Sequence, residues 1–388
     1  MKHRMILTIL LLSCISLTAQ RIEDLSFGTE TTFDVMTWNI EHFPKNGLNT
    51  MQYVTDIIVA LDVDIIALQE VDDTNYFIQL IDGLNSYDGY LESVTYDGLA
   101  YIYKPDKIQI NDIYRIYSSS EYWNYFPRAP MIMDLNFMNE RFIIINNHFK
   151  CCGDGILNIN ISNDEETRRY FATELLKDYI DTNFSDEKVI VLGDLNDSLI
   201  DNPGNNVFQR VIDDYDNYLF ADFEIASSTN LDWSYPTWPS HLDHLLITNE
   251  LFLEFENTNS DIQTIKIDDY LSGGWSEYDA NISDHRPVAI KLFIDQNLDV
   301  ADFTKSKESF INYPNPFSSE TLFSFETTTS INKIEIYNIL SQKVSSLNIL
   351  QGQSSIIWDA EQFPNGIYIA KLLVNNNQIA SRKLVLTK

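Results

Sequence analysis

Hydrophobic positions between about residue 33 and residue 295 follow two rhythms that alternate along the chain. FDVMTWNIE is rich in β-formers and ends in polar residues, and then Met51, Val54, Ile57, Ile58 and Leu61 recur at helical spacing. DIIALQEV follows as a short buried strand, and LAYIYK, MIMDLNF and RFIIINNHF predict three consecutive strands. From Glu165 to Ile180 the spacing puts Phe171, Leu175, Leu176 and Tyr179 on one helical face, leading into the strand VIVLGDLND. HLDHLLIT and HRPVAIKLFI close the region. Near-continuous Ile/Val runs mark strands covered on both faces, so helices must lie outside the sheets.

Residues 296–310 are polar and aperiodic, which predicts a linker. Residues 311–388 are rich in Asn, Ser and Thr and carry the short strands KIEIYNI, SSIIWDA, GIYIAKLLV and QIASRKLVL. Pro364-Asn365-Gly366 and Asn375-Asn376-Asn377 supply turns, so this part reads as a small all-β sandwich.

The first residues change the expected location. Lys2 and Arg4 precede an apolar run over residues 5–17, and Ala19 offers a small residue for cleavage, so residues 1–19 read as a secretory signal peptide. Leu11-Leu12-Ser13-Cys14 comes close to a lipoprotein box, which makes a lipid-anchored form the alternative. No other stretch reaches the length of a membrane span, and the mature chain is expected to be an exported monomer.

Charge then narrows the partners. The formal net charge is −31, and the near-balanced tail leaves almost all of it on the middle of the chain. Such a surface lacks the basic footprint of a protein that grips nucleic acid by charge alone, so a phosphate-ester substrate requires bridging cations. Beyond Cys14 only the adjacent Cys151 and Cys152 remain. They cannot make a disulfide framework, and no further ligands sit at zinc spacing. They read as two small loop residues, with a vicinal disulfide as the alternative.

The chemistry lies where apolar strands stop. Asn39 and Glu41 stand two apart at the end of the first strand, predicting a shared face. Glu70 ends IIALQE, His148 follows Ile143-Ile144-Ile145, and Asp194 and Asn196 close VIVLG. Asp243 lies in SHLDHLL, and Asp284-His285 precedes the last strand. Unpaired buried carboxylates are costly, and a hard divalent cation with oxygen ligands would give these a partner. Taken singly each has an ordinary reading: GDLND is a good turn sequence, and a lone histidine is most often a hydrogen-bonded core residue. The joint pattern is what carries weight.

In this order, TWNIEHF, IALQEV, FPRAP, NNHFK, LGDLND, LDHLLI and SDHRPV resemble the endonuclease/exonuclease/phosphatase superfamily. That superfamily includes DNase I-like nucleases, abasic-site endonucleases, sphingomyelinases and inositol phosphatases. The resemblance implies a four-layer α/β sandwich over residues 30–295. It implies Glu70 as the main Mg²⁺ ligand (Mn²⁺ as a substitute), supported by Asn39, Glu41 and Asp284. It implies His285, held by Asp243, at the scissile phosphate. Asp194 would deprotonate the attacking water, Asn196 would fix it, His148 would stabilise phosphoryl oxygens or the leaving group, and Arg128 would contact substrate phosphate.

These residue types suit in-line hydrolysis of a phosphodiester. An Asp near its free pKa of about 3.9 is a poor base, and crowding by Glu70, Asp284 and Asp243 is expected to raise it unless a metal is bound. No GxSxG or comparable activated serine is present. Two departures bear on substrate. The arginine and the tryptophan-cysteine-aspartate-arginine run of inositol phosphatases are replaced by Asp194-Leu195-Asn196-Asp197 and Ser240-His241-Leu242-Asp243. His241 also stands where many nucleases have arginine. LSGGWSEY, with Trp275, is the only stretch resembling a small version of the sphingomyelinase membrane hairpin.

The tail, from NYPNPF through NGIY to RKLVLTK, resembles the C-terminal sorting domain of the type IX secretion system. An adhesion-type β-module is the plainer reading. The whole chain is expected to be a secreted or cell-surface phosphodiester hydrolase, foremost a nuclease acting on DNA or RNA. The alternatives are a lipid or small-molecule phosphodiesterase or phosphatase, and a catalytically silent binding module. Loops 111–128, 153–166 and 200–236 are the expected seat of specificity.

Overall fold

β1 (Thr32–Phe43) sends alternate side chains into two different cores, and this one strand explains the layering. Phe33 and Val35 enter the core between two sheets, while Met36, Trp38 and Ile40 enter the core under a layer of helices. The computed structural model describes residues 20–92, 98–238, 240–294, 310–325, 331–338, 342–350, 352–374 and 377–388. The signal segment 1–19, linker residues 296–309 and the Asn375-Asn376 part of the last turn lie outside the described residues. The chain divides into two compact units, Met1–Asn297 and Leu298–Lys388.

In the first unit one sheet runs in the order β11 (Asp261–Thr264), β12 (Val288–Phe293), β1, β2 (Ile65–Val71), β4 (Gly98–Tyr103), β3 (Asp88–Leu91). The second runs β5 (Ile108–Arg115), β6 (Met131–Phe137), β7 (Glu140–His148), β8 (Lys188–Asp194), β10 (Asp243–Thr248), β9 (Tyr218–Phe220). α1 (Leu48–Leu61), α2 (Thr74–Gly83) and the helix Gly274–Asn281 cover the outer face of the first sheet through Val54, Ile57, Phe77 and Tyr278. α3 (Glu165–Asn183) covers the second through Ala172, Leu176 and Ile180. The result is the expected four-layer α/β sandwich. Near-continuous apolar strands are its cause, since both faces of each central strand are buried.

Three details depart from the pattern reading. The sheet-facing stripe of α3 is Glu166, Arg169, Thr173, Leu176 and Ile180, whereas Phe171 and Tyr179 are half-buried against loop aromatics. The helix therefore has two packed faces, and the expected stripe takes Leu176 from the sheet-facing one and Phe171 and Tyr179 from the outer one. The segment 111–128 begins inside β5, and 153–166 ends inside α3, so neither is loop throughout. Phe310, grouped with the linker on composition, is buried in the second unit with its ring 5.4 Å from Phe323.

That second unit is all β. A three-stranded sheet holds β13 (Ile311–Tyr313), β14 (Glu320–Ser324) and β17 (Ser355–Asp359). A four-stranded sheet has the order β16 (Lys343–Asn348), β15 (Ile331–Asn338), β18 (Gly366–Val374), β19 (Asn377–Leu386). Their core is aromatic, with Phe317 and Tyr368 packed on Trp358 and Phe323 packed on Phe310.

Candidate functional site

Along the inter-sheet core, apolar residues give way to polar ones toward a single end. Ile65 and Ala67 of β2 are followed by Gln69, and Phe142 and Ile144 of β7 by Asn146 and His148. Gln69 Nε2 donates to Asn146 Oδ1 at 2.8 Å and to Thr37 Oγ1 at 3.1 Å. Asn146 Nδ2 donates to the Leu68 and Ala100 carbonyls across the sheets. This satisfied layer seals the core, and beyond it stand Asn39, His148, Asp194, Asp243 and His285. Gly193 makes the approach possible. A Cβ there would lie 1.9 Å from the Asn147 carbonyl oxygen, and its φ is +140°.

Strict alternation would aim Glu70 at the helix side, because Ile66 and Leu68 point there. Instead the pairing of β2 shifts register between Leu68 and Val71, and Glu70 adopts φ 61°. This bulge turns its carboxylate back to the site, where Oε1 accepts from Asn39 Nδ2 at 3.0 Å and Oε2 from the His42 amide. β1 is irregular too, with Glu41 at φ 35° and His42 at φ 50°, so the shared face expected for Asn39 and Glu41 does not follow from simple alternation. Asn39 Nδ2 bridges Glu70 and Asp194, each at 3.0 Å, while its Oδ1 accepts the Glu41 amide. Glu41 pairs with Lys45 and accepts the Asp284 amide at 2.8 Å.

Asp194 and Asp243 face each other across β8 and β10, both buried. Asp243 Oδ2 lies 2.7 Å from His285 Nδ1, and His285 Nε2 lies 3.8 Å from Asp194. Asn196, at φ 54°, donates its amide to Asp194 Oδ1 at 3.1 Å. His148 Nε2 is 3.6 Å from Asp194 and 3.8 Å from Glu70. Ser283 ties the segment before β12 to β1, donating to the Asn39 carbonyl and accepting the His285 amide.

Electrostatics separates the roles. Burial pushes Asp194 up to about 7, with Asp243 and Glu70 adding to it against the pull of His285 and the Asn39 amide. Burial alone would discharge His285, but Asp243, Asp194 and Asp284 prevail and raise it to about 10. His148 is held well below the ordinary histidine range by burial, helped by Arg128, His285 and His42. His285 is therefore held in its charged form, His148 in its neutral form, and Asp194 is poised near neutrality. Among the described residues, Glu70, Asp194, Asp243 and Asp284 form ion pairs only with histidine. Asp243 Oδ1 is buried without a hydrogen-bond partner. This oxygen-rich, cation-poor donor set fits a hard divalent ion.

These groups open on a cleft of about 710 Å³. Its rim includes Trp233, Tyr235 and the exposed Trp238, and the Tyr235 ring lies 4.7 Å from His285. Arg128 is not among the lining residues, and its Nη1 reaches the Phe149 carbonyl at 3.5 Å. Trp275 is half-buried, 5.5 Å from Tyr278 and under Arg286, so it forms no protruding hairpin tip. Cys151 and Cys152 are free thiols on the cleft wall.

Several working residues escaped the sequence reading. Asp222 is fully buried and accepts from His241 Nε2 at 3.1 Å, His244 Nδ1 at 2.6 Å and the Leu245 amide at 2.9 Å. His244 Nε2 reaches the Asp197 carbonyl, and His241 Nδ1 accepts the Ser234 amide. Because Nδ1 of His241 is an acceptor, Nε2 carries its proton, and the cluster is a complete hydrogen-bond hub with no lone pair of His241 left for a metal. Thus His241, which stands where many nucleases have arginine, lines the cleft but spends both ring nitrogens on the scaffold behind Asp243. Arg169 similarly donates to Asp197 Oδ2 at 2.7 Å from the inner face of α3. Only the unusual placement of Asp222, Arg169 and Gln69 among buried positions marks them, and that is invisible in one sequence.

The model of the Endonuclease/Exonuclease/phosphatase family matches residues 36–285. The model of the secretion system C-terminal sorting domain matches residues 312–387. No curated protein matches the chain. Among solved structures, D. rerio TDP2 complexed with single-strand DNA product is similar at 12% identity and TM-score 0.50, covering 68% of this chain and 99% of that one. The human Nocturnin catalytic domain with bound sulfate is similar at 17% identity and TM-score 0.48, covering 68% and 95%. An endonuclease/exonuclease/phosphatase from Bacteroides vulgatus is similar at 15% identity and TM-score 0.49, covering 69% and 100%.

Proposed function

The chain belongs to the endonuclease/exonuclease/phosphatase family and is a metal-dependent phosphoesterase exported by its sorting domain; on that premise we propose that it is an extracellular phosphodiesterase, foremost a nuclease. The observation that carries the reading is the line Asp194–His285–Asp243 at the floor of an open cleft, next to an acid, Glu70, that has no lysine or arginine partner among the described residues. Residues 30–295 make the catalytic domain, 296–309 the linker and 310–388 the sorting module, which takes in the buried Phe310.

Asp243 holds Nδ1 of His285, so the ring presents Nε2 and a positive charge to a non-bridging phosphate oxygen. Asp194, oriented by the Asn39 side chain and the Asn196 amide, takes the proton of the attacking water. A carboxylate near 7 matches the working pH better than one near 4. Asn196 fixes that water, and the neutral His148 offers a hydrogen bond to phosphoryl or leaving-group oxygen. Glu70, with Asn39, Glu41 and Asp284, would hold Mg²⁺ or Mn²⁺. Bound there, the ion supplies positive charge for the phosphate oxygens and stabilises the departing alkoxide. Arg128 is kept as an outer phosphate contact.

The exposed Trp238 on the rim favours a nucleic-acid substrate, since an exposed ring stacks a base without sequence demand. The strongly acidic chain favours short or single-stranded contacts over long tracking of a duplex backbone. The test is hydrolysis of plasmid DNA, RNA, sphingomyelin and bis-nitrophenyl phosphate by the purified chain, with Mg²⁺ and with EDTA. Mg²⁺-dependent cleavage of DNA or RNA is expected. Preference for sphingomyelin would move the reading to a lipid phosphodiesterase, and activity in excess EDTA would overturn the mechanism.

A further inference from the structure

The cleft wall opposite in character to the acid cluster is a pair of adjacent thiols. Cys151 is half-buried and Cys152 exposed, both line the cleft, and their Sγ atoms are 2.8 Å apart. Lys150 Nζ stands 3.6 Å from Cys151 Sγ. The segment is held by design of its backbone. Cys152 sits at φ 72° and Gly153 at φ 114°, where a Cβ would lie 2.1 Å from Glu166 Oε1. Buried Arg169 donates from Nη1 to the Lys150 and Cys152 carbonyls at 2.8 Å each, and from Nε to Asp197 at 2.7 Å. One guanidinium thus clamps the thiol segment to the loop that follows Asp194 and Asn196.

We propose that Cys151 and Cys152 form a reversible dithiol–disulfide pair that tunes substrate binding in the cleft. Export takes the chain to a compartment where disulfides form and persist. Closure makes one Sγ–Sγ bond and breaks two S–H bonds. Two electrons and two protons pass to a disulfide oxidant, which leaves as two thiols. Adjacent Cα atoms are about 3.8 Å apart, closer than the roughly 4.4–6.8 Å of ordinary disulfides, so the ring is strained and readily reduced. Ring closure constrains the peptide between the two cysteines, whose Cys151 carbonyl accepts from Lys150 Nζ at 3.1 Å, and so shifts the segment that Arg169 holds on either side of it, loosening the wall and the Asp197 loop together. The dithiol is the tighter-binding form. Neither sulfur touches Asp194 or His285, so the effect falls on KM rather than on the chemical step.

The test equilibrates the purified full chain in glutathione buffers, alkylates free thiols and reads the peptide carrying Cys151 and Cys152 by mass. Oxidised glutathione is expected to protect both cysteines without adduct, and dithiothreitol to restore two alkyl groups. Glutathione adducts, a bond between two chains, or two alkylated thiols in oxidised buffer would each overturn the pair. That readout does not depend on catalysis, so it stands apart from the proposed activity. KM for whichever phosphodiester the chain cleaves is then expected to rise at least about fivefold on oxidation, the lower end of coupling between sites. The Cys151→Ser/Cys152→Ser variant is expected to be insensitive to redox buffer. Equal KM in the two wild-type states would overturn the tuning, and this comparison requires no variant to fold.

Discussion

β1 and β2 run parallel and so share two ends, and both ends bury carboxylates, but lysines reach the buried ones at only one end, since Lys45 at the other is taken by Glu41. At the start of these strands Asp64 lies 3.4 Å from Lys104 and 3.1 Å from Lys107, and Lys104 also pairs with Asp62 at 2.7 Å. Asp34, beside them, is satisfied by Thr32 Oγ1 and the Thr29 amide, and burial raises it to about 6. At the finish, Glu70 meets Asp194, Asp243 and Asp284 from neighbouring elements, and their ion-pair partners are histidines. The same two strands thus carry a closed electrostatic system at one end and an open one at the other. A fold that can place lysines beside Asp64 and leaves Glu70 without one has reserved the second end for an ion and a phosphate.

The comparison breaks most visibly in catalysis. Asp194→Asn or His285→Ala is expected to lower turnover by at least roughly 10²-fold, the lower end for acid–base groups, with the fold intact by circular dichroism. Asp64→Asn is expected to do the reverse: turnover is kept, and stability falls by roughly 1–3 kcal/mol because the negative charge that Lys104 and Lys107 pair with is removed. Steady-state rates with denaturant titrations separate the two outcomes. Equal loss of turnover from both ends would erase the distinction.

A smaller effect appears in pH. Asp194 is raised from 3.8 to about 7, so its ionisation costs the metal-free fold stability as pH rises through that interval. His285 is raised from 6.5 to about 10, so its contribution is full below 6.5 and is lost as pH rises toward 10. The thermal midpoint of the chain in EDTA is therefore expected to fall steadily from acid-neutral to alkaline pH. His285→Ala should flatten the upper part of that slope and Asp194→Asn the lower part. The smallest expected effect is none. Deleting residues 311–388 should leave both ends and in vitro hydrolysis unchanged, while abolishing export. Activity lost on clean truncation would show that the tail does more than sort.

Much of this contrast was legible before any coordinates. Strand-end polar residues announce the open end, because an apolar run that stops in GDLND or starts from SDHRP has no structural need for its carboxylates. The exposed edge strands β3 and β11 were not legible, since DGYL and DIQT carry too few buried residues to set a rhythm. Nor was the aim of Glu70, which depends on a bulge rather than on alternation. Asp222 was hidden for a different reason: its partners His241 and His244 stand 19 and 22 residues further on, just before and within β10, and no local pattern links them. Arg169 shares its stripe of α3 with Leu176 and Ile180, and nothing in one sequence marks a charged residue there as buried.

The central claim, that the open end is completed by a divalent ion at Glu70, is tested most directly by calorimetric titration of Mg²⁺ into the chelator-stripped chain. The wild type and Asp64→Asn are predicted to show the same saturable binding, and Glu70→Gln to lose it while keeping its fold. Undiminished binding by Glu70→Gln, or no saturable binding by the wild type, would contradict the account.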